Sequence, residues 1–480
     1  MIRKLIYIIL FLFILADTGY SFLQHLSQSL DGDMSETIVP KNSIKPIFDC
    51  PSGIDVILKK QAYHNPNRFF SHWTYNKYFN SIPLLLQKFV EPIDSVYLSC
   101  AILKIIVQVV LIILLSMIIS GTLNVLKMDF IIAAVLITPL FQTNGYQNYM
   151  GIIDPSITYT FFYALPSALL ILYFLPFIFR FYHKKLPLLK ISIAILWIPL
   201  AIMVCLSGPL NPAIILIFSM LVFLKKITAN YIHSNLKGTV KRAANAFKII
   251  PRSYWLYLLP ICILSLYSIF IGTYNISTIA YQISIGELYS RLPEGIYYQF
   301  TQKLGFPILF IILTINTLII HYKYRNNEGN RILITLKWVG IFALIYILLL
   351  PLGGYRDYRF NVLRYDTIMP ITLSLILFFG ISTLFLLKTM SNKQKTWYIP
   401  IIVAVLFIFT YSDKAMFNKN NCERIALKEI SMSKEKIVQL KDDCKVLSWD
   451  LIIKPEDSDL NAQLLYIWRI TKEKKLYYNK

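Results

Sequence analysis

The sequence predicts an all-α, polytopic membrane protein, and three observations carry that reading. Of 480 residues, 56% are hydrophobic and only 15% charged, a composition too apolar for a soluble globule. Apolar runs long enough to cross ~30 Å of hydrocarbon recur along the chain. Within each run the apolar residues are continuous rather than alternating, so helices and not barrel strands satisfy the backbone in lipid.

Eleven spans follow in order. The first, Leu5 to Phe22, comes after Arg3-Lys4 and resembles a signal peptide, but Ile14-Leu15-Ala16 offers one small residue where a cleavage site has two. It therefore reads as an uncleaved helix with Asp17 near its outer end. Leu98 to Gly121 is the second, and Phe130 to Phe141 the third and shortest. Tyr159 to Phe179, Ile191 to Leu206 and Pro212 to Leu224 come next, the last two separated by Gly208-Pro209. That turn also allows a broken helix pair dipping between leaflets. Trp255 to Ile271, Phe306 to Ile320, Leu333 to Leu350, Pro370 to Leu387 and Tyr398 to Tyr411 complete the set.

Lys and Arg collect in short cytoplasmic loops, and here they collect in alternate connections. Arg3 and Lys4 begin the series. Lys127, the stretch from Arg180 to Lys190, the stretch from Lys225 to Arg252, Lys323 with Arg325 and Arg331, and Lys388 with Lys393 and Lys395 continue it. The N-terminus is thus expected in the cytoplasm. Residues 23–97, 142–158, 273–305, 351–369 and the tail from Ser412 are expected outside. The formal net charge of +22 then reflects basic loops and their attraction to anionic headgroups, and no nucleic-acid partner is expected.

The chain divides into a helical body, residues 1–411 with the long loop 23–97, and a small outer cap, residues 412–480. The cap has an amphipathic stretch from Glu423 to Leu440 and a strand-like piece from Val446 to Ile453. Cys100, Cys205 and Cys262 lie in helices as small apolar residues. Cys50, Cys422 and Cys444 lie outside, where Cys422 and Cys444 either staple the cap or stay free. No cysteine spacing resembles a zinc site.

Two outer segments hold the chemistry. Leu30-Asp31-Gly32-Asp33-Met34-Ser35-Glu36 sets three carboxylates beside the first span. A partly desolvated aspartate there has the raised pKa that suits a general base. The alternative is a helix start in which Asp33 and Glu36 form a capping box. Further along the loop, His64, Arg68 and His72 recur at four-residue steps, although Pro66 interrupts a helix. A His pair with Asp31 or Asp33 is a candidate divalent-cation site, and interfacial anchoring by Phe69, Phe70 and Trp73 is its alternative.

The second segment runs from Gly353 to Asp366 and carries Arg356, Arg359 and Arg364 on the outer side, against the positive-inside trend. Guanidinium forks match phosphate oxygens in pairs. The alternative is internal pairing with Asp357 and Asp366.

An acidic motif early in a long outer loop, about eleven helices, a basic loop between late helices and an outer tail together resemble the membrane glycosyltransferases of the GT-C fold. The resemblance is architectural, spans most of the chain, and is carried by Asp31 to Glu36 and Arg356 to Asp366. It implies a polyprenyl-phosphate sugar as donor, a glycan or lipid as acceptor, and a site on the outer face; compact loops and the absence of sorting signals point to a bacterial inner membrane. In that setting Asp31 or Asp33 is the base, and Arg356, Arg359 or Arg364 holds the donor phosphate. Glu36, His64, Arg68, His72 and Asp366 would support them. Many members have adjacent acidic residues, whereas Gly32 separates the two here, so either aspartate fits the base.

Two other classes share these features. A polysaccharide polymerase or ligase also pairs many helices with basic outer loops. A transporter or assembly protein for lipid-linked glycans needs no base, but the spans hold few ionisable residues, chiefly Asp17, Lys104 and Lys337, fewer than proton-coupled transport requires.

Overall fold

The computed structural model describes residues 2–144, 150–184, 191–232, 238–279, 283–354 and 360–480. The body is built from helices α1 (Ile2–Leu26), α2 (Pro92–Ser120), α3 (Met128–Ile137), α4 (Ile157–Phe181), α5 (Ile191–Cys205) and α6 (Leu210–Ile232). They are followed by α7 (Arg252–Gly272), α8 (Gly305–Lys323), α9 (Asn327–Leu349), α10 (Met369–Thr389) and α11 (Asn392–Ser412). Among the described residues nine of these are long and apolar enough to cross a membrane. The other two, α3 and α5, are shorter, at 10 and 15 residues. The protein is an all-α integral membrane protein with multiple spans, and each predicted apolar run coincides with one of its helices.

Prolines stand inside α4, α5, α7 and α11, as membrane helices in general tolerate. Helix association in lipid relies on packing and on buried polar contacts. Asn316 of α8 shows the latter: its amide donates to Ser382 (3.0 Å) and Thr383 (2.9 Å) of α10 and accepts from the Tyr398 hydroxyl of α11 (2.8 Å).

The connections segregate to two ends. At one, Lys388 pairs with Asp129 (2.6 Å), the Tyr324 hydroxyl donates to Gln394, and Arg331 reaches the Tyr182 carbonyl. These are the basic loops. At the other end, the 27–91 loop is sewn to the α5–α6 turn, where Phe70 N–H donates to Leu206 O and Gly208 N–H to Asn67 O (both 3.1 Å). It also meets the segment after α7 through Asn65 N–H and Asn275 (3.1 Å).

The cap sits on this second end. It contains α12 (Asn421–Met432) and α13 (Asp459–Ile467) with a parallel pair of three-residue strands, β1 (Ile437–Gln439) and β2 (Leu476–Tyr478). Cys422 and Cys444 are disulfide-bonded. The expected strand at Val446 to Ile453 is irregular instead. Its backbone is consumed by single contacts, such as Leu447 N–H to Glu423 (3.2 Å) and Ile452 N–H to Asn479 (2.9 Å). Trp468, fully buried, donates from its indole to Phe79 O (3.0 Å) and fixes the cap to the long loop.

Candidate functional site

Asp31 and Asp33 have different surroundings. Asp31 is buried, and both its oxygens are filled: Ser156 Oγ–H (2.7 Å) and Thr158 N–H (3.0 Å) donate to one, Thr158 Oγ1–H (2.8 Å) and Asp33 N–H (3.0 Å) to the other. A carboxylate with four donors is a strut; it ties the acidic loop to the start of α4. The Asp33 side chain is half-buried and takes one bond of this kind, from Trp449 Nε1–H of the cap (3.1 Å). Burial first, and then the negative charge of Asp31, push its pKa up to about 6.

The expected capping box does not form. Asp33 does occupy the N-cap of the short helix Met34–Ile38, but it makes no side-chain cap bond there, because its carboxylate is turned to Trp449. Glu36 pairs with Lys41 at the surface.

Gly32 explains the split between the two aspartates. A Cβ at this position would lie 2.6 Å from Trp449 Cδ1, 2.7 Å from Trp449 N and 2.9 Å from Trp449 Cγ. The glycine is what lets the cap close on the acidic loop. Trp449 also stacks on Tyr159 (centroids 6.5 Å, 21°) and remains 48% exposed.

Arg364 completes the group. Its guanidinium lies over the Tyr159 ring (4.7 Å) and grips Asp366 with two bonds, Nε–H to Oδ1 (2.9 Å) and a terminal N–H to Oδ2 (2.8 Å). The internal pairing is thus the one the structure contains for this arginine, and its charge also acts on Asp33 and Asp154. Arg356 and Arg359 lie outside the described residues. Asp33, Trp449, Tyr159, Arg364 and Asp366 form a continuous chain of contacts at one mouth of the body.

Four contributors carried no signal at the level of local sequence. Asp154 is buried beside this group, its pKa raised to about 6 by burial against the opposing pull of Tyr365, Ser156 N–H, Lys104 and Arg364. Its turn with Ser156 N–H (2.7 Å) has an Asp-Pro-Ser signature, but nothing local links it to Asp31. Tyr159 precedes a single π-helical turn, Thr160–Ala164, a distortion frequent at functional sites. Trp449 and Glu423 come from the cap. Glu423 is buried and accepts from Leu30 N–H (2.9 Å), Tyr97 hydroxyl (2.8 Å) and Leu447 N–H (3.2 Å). Burial raises its pKa to about 7.

The histidine residues do not join the aspartates. His64 Nδ1 is engaged with Ser277 (2.7 Å), and Arg68 precedes the helix Phe69–Phe79, so the four-residue spacing does not produce one helical face. His72 is buried, its Nδ1 faces Arg68 O (2.9 Å), and burial lowers its pKa to about 3. Among the described residues no group of three or more His, Cys, Asp or Glu side chains is arranged to hold a metal ion. The candidate cation site of His64, His72 and an aspartate is therefore not assembled.

Compared with models of known families, with curated proteins and with solved structures, the chain matches none.

Proposed function

We propose that this protein is a membrane glycosyltransferase that moves a sugar from a polyprenyl-phosphate donor to a glycan or lipid acceptor, with Asp33 as general base. The acceptor hydroxyl oxygen attacks the anomeric carbon, the carbon–oxygen bond to the donor phosphate breaks, and Asp33 takes the hydroxyl proton. Polyprenyl phosphate leaves.

The observation that carries this reading is the Asp33 carboxylate: half-buried, with a pKa raised to about 6 and standing at the mouth with Arg364 rather than locked in a scaffold. A base in that range is deprotonated at neutral pH yet basic enough to share a proton in the transition state. Asp31, with four donors, is a positioning residue in this account. The positive-inside rule supports an outer-facing site. A bacterial cytoplasmic membrane with a periplasmic cap belongs to the same proposal.

The test is the pH dependence of transfer. kcat/KM is expected to rise through about pH 6 and then level, and Trp449→Phe, which removes the N–H that favours the Asp33 carboxylate, should move that limb to higher pH. A limb unmoved by Trp449→Phe assigns the titration to another group.

A further inference from the structure

Among the described residues four arginines meet a carboxylate: Arg291 pairs with Glu287, Arg331 with Glu328, Arg364 with Asp366 and Arg424 with Asp94. Arg68 does not. It is partly buried in the long outer loop, and among the described residues its side chain makes no ion pair and no hydrogen bond; its Nε is buried without a partner. Leaving a desolvated guanidinium N–H unmet is unfavourable, so the arrangement calls for an acceptor from outside the chain.

The surroundings hold this guanidinium in place. It lies over the Phe162 ring (4.8 Å) and near Tyr163 (5.8 Å), on the π-helical turn of α4. A guanidinium held over an aromatic ring keeps forked N–H groups that can meet two oxygens of a phosphate. His72 packs against Phe162 (4.8 Å) and stays neutral, so it brings no competing charge. Gly208, at φ +128° in the α5–α6 turn, leaves room for Arg68: a Cβ there would approach its Nε to 3.2 Å. Tyr163 contacts Tyr159 (5.8 Å), the ring under Arg364. Two guanidinium groups thus flank one aromatic strip, and one of them is already committed to Asp366.

An apolar groove begins beside this point. Pro209 and Leu210 follow Gly208 into it, Tyr346 and Leu350 form its wall, and Val362 and Thr367 close it next to Arg364. We infer that Arg68 is the phosphoryl-binding residue of this mouth, and that its ligand is an isoprenoid phosphate whose chain enters the groove from Pro209. This inference rests on the reading of a polyprenyl-phosphate donor and names the residue that holds the phosphate, in place of Arg364.

Binding is the test, because it needs no turnover. The purified full chain in detergent is titrated calorimetrically with farnesyl phosphate, farnesol and inorganic phosphate, as wild type, Arg68→Gln and Arg68→Lys. Farnesyl phosphate should bind wild type at least tenfold more tightly than either fragment, weaken about tenfold or more in Arg68→Gln, and weaken less in Arg68→Lys. Farnesol should not distinguish the three proteins. Unchanged farnesyl phosphate binding in Arg68→Gln, or none in wild type, overturns the inference; inorganic phosphate binding as tightly overturns its lipid part. If Arg68→Gln does not fold, Phe162→Leu, which removes the ring beneath the guanidinium, replaces it and is expected to weaken binding in the same direction. Loss of binding in Arg68→Gln without sugar transfer by wild type would refute the transferase and leave this site standing. Full transfer by Arg68→Gln would do the reverse.

Discussion

Gly32→Ala is the smallest change that probes how the cap meets the acidic loop. The added methyl would sit 2.6 Å from Trp449 Cδ1 and 2.7 Å from Trp449 N. The first contact is relieved by turning the indole, but the second is backbone and requires residues 448–450 to withdraw. Overpacking of this kind costs about 1–3 kcal/mol. Withdrawal also breaks the Trp449–Asp33 bond, whose contribution lies near the bottom of the ~1.5–3 kcal/mol range for bonds to a charged group because the indole is half exposed. The two effects overlap, so the expected loss is about 2 kcal/mol, or roughly thirtyfold faster amide exchange at Leu447 and its neighbours. In a Trp449→Ala background the same substitution should cost less but not nothing, because the clash with the backbone nitrogen remains. Unchanged exchange in Gly32→Ala would refute the argument that the glycine is there for the cap.

Other consequences concern the cap. Glu423 has a folded pKa of about 7 against 4.5 when exposed, so between these values the native state holds a proton that the unfolded chain has released. Stability should therefore fall as pH rises from about 4.5 to 7, by at most about 3 kcal/mol, and denaturation of Glu423→Gln should show a flatter profile. Replacing Cys422 and Cys444 by serine removes a crosslink over 22 residues and should destabilise the cap by about 3 kcal/mol in the chain-entropy picture, read by limited proteolysis between Cys444 and Trp449.

The helical body was legible because its cause is local: an apolar run of sufficient length has few alternatives in lipid, and every predicted run became a helix. The acidic and arginine segments were legible as composition, but not their internal division of labour. Asp31 and Asp33 differ only through contacts with Ser156, Thr158 and Trp449, and the last is 416 residues from Asp33. The Asp33–Glu36 spacing is right for a capping box, yet a tertiary donor took the carboxylate. His64, Arg68 and His72 shared a period without sharing a helix, since the helix begins only at Phe69. The sequence left Cys422 and Cys444 open between a staple and free thiols, and the fold of the cap, which brings their Cα atoms to 5.7 Å, decides for the disulfide.

The central claim is that Asp33 and not Asp31 acts on the acceptor. The direct measurement is transfer from a radiolabelled polyprenyl-phosphate sugar by wild type, Asp33→Asn and Asp31→Asn, each checked for its thermal unfolding transition. Wild type should transfer, and Asp33→Asn should unfold normally while losing about a hundredfold or more of kcat. Asp31→Asn should lower stability along with whatever activity it loses. Full activity in a folded Asp33→Asn, or no transfer by wild type from any such donor, would contradict the account.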